Sequence, residues 1–65
     1  MNNIRKFEDL TEIEKMILAI KGAIEEIKRD KTKETFYSAF IVATIERLKE
    51  KGMTKEDIYN YKVEL

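Results

Sequence analysis

The candidate groups for chemistry in this chain are carboxylates, tyrosines and amines. It contains no Cys and no His, so thiolate nucleophiles, imidazole bases, disulfides and Cys/His metal sites are excluded. Acid–base work by two carboxylates requires both to converge on one point. Glu25 and Glu26 are adjacent, so on a helix they point about 100° apart. Glu8 and Glu12 lie four apart and could share a cation weakly, but a solvated helix face is the better explanation of that spacing. Tyr59 and Tyr61 are further acids in principle; helix docking accounts for Tyr61 and plain exposure for Tyr59. The two glycines, Gly22 and Gly52, form no phosphate-cradling loop. The reading is a non-enzyme with no cofactor and no metal.

The remaining chemical cluster is basic. Lys28, Arg29, Lys31 and Lys33 surround Asp30 alone, and these four are the candidate phosphate-contacting residues. A solvated turn that complements a helix C-terminus gives the same pattern. Thirteen basic residues balance thirteen acidic ones, so the chain as a whole has no electrostatic pull toward nucleic acid or anionic lipid. Nucleic acid is therefore not the expected partner. No apolar run approaches the roughly 20 residues that span a bilayer, and residues 1–12 lack an apolar signal-peptide segment. The expectation is a cytoplasmic protein without a membrane partner. Nine Ile and ten Lys among 65 residues suggest an AT-rich bacterial, phage or plasmid source.

Proline is absent, which favours long helices. Helix 1 is expected over about 11–29. Thr11 and Glu14 have capping-box spacing, and Ile13, Met16, Ile17, Ile20, Ala23, Ile24 and Ile27 form a stripe roughly 140° wide. Leu18 falls outside that stripe. After a turn near Asp30–Thr32, helix 2 is expected over about 33–51, with Gly52 as its left-handed stop. Helix 3 is expected over about 54–64. Thr54 and Asp57 would cap it, Met53 and Ile58 have hydrophobic-staple spacing, and Ile58, Tyr61 and Leu65 share a face. Ile4 and Phe7 could pack from the lead-in. Glu8, Asp9, Glu12 and Glu14 would meet Arg47, Lys49 and Lys51 across an antiparallel pair, each exposed contact contributing about 0–1 kcal/mol.

The fragment LKEKGMTKEDI (48–58) resembles the opening of helix-turn-helix domains, in which a helix ends in Gly-x-Thr and the next starts with acidic residues and an Ile. That resemblance implies a DNA-reading helix next, and only Tyr59–Leu65 follow the match. A plain junction between two capped helices carries the same residues. A ribbon-helix-helix reading would need an alternating strand over Asn2–Phe7, where the alternation is poor.

The most informative segment is Thr35–Ile45, eleven residues without a charge. On a helix, Phe36, Tyr37, Phe40, Ile41 and Ile45 cover one half of the circumference, and Ala39, Val42 and Ala43 most of the other. One antiparallel neighbour buries a single stripe. The expected fold is therefore all-α: a long antiparallel helical hairpin plus a short C-terminal third helix in one domain (1–65), dimerising into a helical bundle. Phe36, Tyr37, Ala39, Phe40, Ile41, Val42, Ala43 and Ile45 are the expected interface. Function is expected to be that of a small helical regulator or protein-protein interaction module, a homodimer that binds an as yet unknown protein partner. The alternatives are a nucleic-acid-binding regulator using the basic tip, or a structural subunit of a larger assembly.

Overall fold

In the computed structural model, which describes residues 6–63, two of the three α-helices start where a threonine replaces a missing hydrogen-bond partner. The Glu14 N–H donates to Thr11 Oγ1 (3.1 Å), and the Thr11 N–H donates to Glu14 Oε1 (2.9 Å). This reciprocal pair satisfies two of the amides a helix start leaves orphaned. It opens α1, Glu12–Arg29. Thr54 and Asp57 repeat the arrangement, each bond 3.0 Å, and open α3, Lys55–Asn60. Between them, α2 covers Glu34–Glu50 and is preceded by a 3₁₀ turn over Lys31–Lys33. Asp30 anchors that turn, its carboxylate accepting from the Thr32 hydroxyl (2.6 Å) and amide (3.1 Å). Among the described residues 81% are helical and none is in a strand.

The junction of α2 and α3 is set by one residue conformation. Gly52 has φ 97°, a region in which a Cβ is strained. Its N–H donates to the Lys49 carbonyl (2.9 Å), and the Met53 N–H reaches the Leu48 carbonyl (3.2 Å). These are the two bonds of a Schellman stop. Met53 then packs against the cluster containing Leu48 and Ile58, closing the end of α2 and the start of α3 at once.

α1 and α2 form an antiparallel hairpin, and α3 crosses its base. The core lies there. Ile17, Ile20, Leu48 and Ile58 are buried together, flanked by half-buried Ile13, Met16, Ile41, Ile45, Met53, Tyr61 and Val63. Thr44 is the buried polar residue of α2, and its hydroxyl is satisfied by donating to the Phe40 carbonyl one turn back (2.8 Å). At the same end, Lys51 Nζ lies 3.6 Å from Glu12 Oε1.

Helix 3 is shorter than the 54–64 expected from its spacing. It ends at Asn60, and Tyr61 is extended (φ −66°, ψ 132°). Continuing the helix would carry Val63 about 140° away from Ile58 at roughly 100° per residue. The extended backbone instead returns Val63 to the core, while Lys21 Nζ donates to the freed Tyr61 carbonyl (3.0 Å). Leu18, outside the apolar stripe of α1, is half-buried, and Phe7 is exposed with the Lys15 ammonium 5.5 Å from its ring centre. Ile4, Leu65 and most of Asn2–Phe7 lie outside the described residues.

Hydrogen bonding from the Thr54 backbone N–H, then from its side chain, holds the Asp57 carboxyl below its usual 3.8. A carboxyl depressed by folding stabilises the fold above its unfolded pKa, and that contribution is lost as pH falls through the folded value. Two substitutions test the α2–α3 junction by urea unfolding. Gly52→Ala is expected to cost about 1–2 kcal/mol from backbone strain alone, since no atom lies within 4 Å of its added Cβ. Asp57→Asn is expected to flatten the decline in stability below pH 4. An unchanged midpoint for the first, or an unchanged acid limb for the second, would refute this account of the junction.

Candidate functional site

α2 has one full-length neighbour. At 1.5 Å per residue its seventeen residues run about 25 Å, whereas the six of α3 span about 9 Å. Facing α1 and α3, Thr44 and Leu48 are buried and Tyr37, Ile41 and Ile45 are half-buried. The rest of the uncharged segment is open. Phe36 is 72% exposed, Val42 60% and Phe40 41%, and Ala39 and Ala43 are exposed between them. Of the eight residues singled out from the sequence, then, five lie on the outer face and three on the hairpin side. The outer five are contiguous. Ala39 and Ala43 make a low ridge one turn long, with Phe36 and Phe40 on one flank and Val42 on the other. The Phe36 ring is braced edge-on by Tyr37, their centroids 5.2 Å apart and the planes at 78°.

On each side of the α1–α2 seam the side chains part into a groove. One is lined by Met16, Ala19, Phe40, Ala43 and Thr44, with Glu12, Lys15 and Arg47 at its edge, and has a volume near 340 Å³. It continues from the Phe40–Ala43 part of the outer face. The other, near 410 Å³, runs between Ile17, Ile20 and Ile24 of α1 and Ile41 and Ile45 of α2, and is closed at the base by Ile58. Lys21, Lys55 and Tyr59 border it. The sequence reading did not single out this second groove. Spacing counts Ile24 with the core stripe, but α3 stops short of it.

The basic tip is partly neutralised within its own helix. Arg29 Nη1 lies 3.1 Å from Glu26 Oε2, and Lys28 Nζ lies 3.6 Å from Glu25 Oε2. Lys31 and Lys33 are exposed on the 3₁₀ turn. The Asp30 carboxyl between them is held below its usual value by the Thr32 hydroxyl and amide, with a smaller contribution from Lys33. Glu8 and Asp9 sit in a separate 3₁₀ turn over Phe7–Asp9. Among the described residues, no three carboxylates gather as a metal cluster, and no helix is long and apolar enough to cross a membrane.

Compared with protein-family models, curated proteins and solved structures, the chain matches none.

The pairing of Lys28 and Arg29 predicts weak phosphate contact at the tip. In a gel shift at about 0.15 M salt, a 30-base-pair duplex should not be retained. Retention that disappears in Lys31→Glu/Lys33→Glu would instead assign the tip a phosphate-binding role.

Proposed function

We propose that this chain is a small, non-catalytic, cytoplasmic interaction module that pairs with a second copy through the outer face of α2 and acts by binding another protein. The observation that carries this reading is the exposure of Phe36, Ala39, Phe40, Val42 and Ala43 on one helix face. Contiguous exposed apolar surface of this kind marks interaction sites in soluble proteins. Small residues at Ala39 and Ala43 let a second helix approach to about 8 Å, the near end of the usual interaxial range. The flanking phenylalanines and Val42 then have a partner surface to fill. An isologous pairing uses the same face on both subunits and closes after two.

The interface would be modest. One helix from each subunit lies at the low end of specific interfaces, about 1,200 Å² in total or less, which fits reversible association in the micromolar range. Pairing also supplies what a short chain lacks. A domain of this length buries only about 60% of the surface its unfolded chain exposes, and binding in the folded state adds stability by mass action.

Sedimentation equilibrium at 10–200 µM tests the pairing. The unaltered chain is expected to approach twice its 7.7 kDa mass. Because Val42 is largely exposed, Val42→Glu should keep its far-UV circular dichroism while the dissociation constant rises at least about 100-fold, since an unpaired carboxylate would be buried twice over. A chain that stays at 7.7 kDa throughout, or a Val42→Glu variant that still pairs, would overturn the proposal.

A further inference from the structure

The groove bordered by Lys21, Lys55 and Tyr59 carries charge of one sign at its rim. The chain is neutral overall, yet among the described residues no carboxylate lines this groove. The groove across the seam mixes Glu12 with Lys15 and Arg47 at its edge, and the hollow beneath α3 is lined by Glu56 and Asp57. α3 causes this segregation. Lys55, Ile58 and Tyr59 recur at i, i+3 and i+4 and so face the groove, while Glu56 and Asp57 turn away. Lys21 donates one N–H to the Tyr61 carbonyl, and an ammonium carries three donors. Tyr59, 86% exposed, stands at the border as an aromatic of the kind that anchors partners.

We infer that this groove is the docking site for an acidic amphipathic helix of a partner protein. The inference rests on the binding role proposed above and gives it a place and a partner chemistry. Apolar floor and cationic rim together specify an apolar stripe flanked by Glu or Asp. The dimensions agree. The floor runs along α1 from Ile17 to Ile24, about 10 Å at 1.5 Å per residue. Two turns of a docked helix rise equally far and present anchors at i, i+3 or i+4, and i+7. A second copy entering with its α2 outer face would make a heterologous, head-to-tail contact, unlike the isologous pairing proposed above. The groove uses Ile41 and Ile45 of α2, and none of the five outer-face residues proposed for pairing.

The probe is a fluorescein-labelled 16-residue helical peptide with Leu at i, i+4 and i+7 flanked by Glu, and a twin with Lys in place of every Glu. Fluorescence anisotropy is read at 50 mM and 300 mM salt. The Glu peptide is expected to bind at least tenfold more tightly than its twin and to weaken at the higher salt. Lys21→Glu/Lys55→Glu should reverse the preference. Ile24→Glu, at an exposed edge of the groove, should lose binding at least tenfold while its sedimentation behaviour stays that of the unaltered chain. Equal binding of the two peptides, no binding of the Glu peptide at 1 mM, or altered self-association in Ile24→Glu would overturn the inference. Failure of the α2 pairing would appear in the sedimentation of the unaltered chain and of Val42→Glu, not in the peptide titrations, and so is distinguishable.

Discussion

A helix packed against one long neighbour can hide only part of its girth, and α2 is apolar around most of it. Between Thr35 and Ile45 it carries no charge. α1 and α3 together bury Thr44 and Leu48 and half-cover Tyr37, Ile41 and Ile45. With a six-residue α3, no element among the described residues lies over Phe36, Ala39, Phe40, Val42 and Ala43. Everything assigned to this chain as function follows from that mismatch between apolar surface and available cover. At about 25 cal/mol per Å² of apolar surface removed from water, the open face is a standing driving force for association.

The shortness of α3 does two things. It leaves the upper hairpin uncovered, and it selects the residues that border the opening. Thr54 and Asp57 fix where the helix starts, Gly52 fixes how the chain enters it, and the return of Tyr61 and Val63 to the core fixes where it stops. Within those limits the rotation of α3 directs Ile58 into the core, Lys55 and Tyr59 to the groove, and the acids elsewhere. The outer face of α2 and the isoleucine groove lie on different sides of the hairpin, so one chain offers two separate apolar surfaces.

What was legible in the sequence was mostly local. The Thr11–Glu14 and Thr54–Asp57 pairs and the left-handed Gly52 depend on residues within a few positions of each other, and spacing identifies them. The uncharged run of α2 was equally plain, because charge omission needs no tertiary information. The end of α3 was not legible, since it is decided by Val63 meeting a core assembled from α1 and α2. The groove was hidden for a related reason. Periodicity tells which face Ile24 occupies, but not how far the element covering that face extends. Tyr59 read as merely exposed because its place beside the isoleucines of the groove is made by the fold. Leu18 misled in the opposite sense, lying outside the stripe and yet half-buried.

The central claim is that the outer face of α2, and not the base of the hairpin, is where this chain meets its copy. Methyl-resolved NMR spectra recorded from 1 mM down to 10 µM test it directly. The Ala39, Val42 and Ala43 methyl resonances should move progressively on dilution, while those of Ile17 and Leu48 hold still. Spectra that do not change with concentration, or dilution shifts confined to Ile17, Leu48 and Ile58, would contradict it.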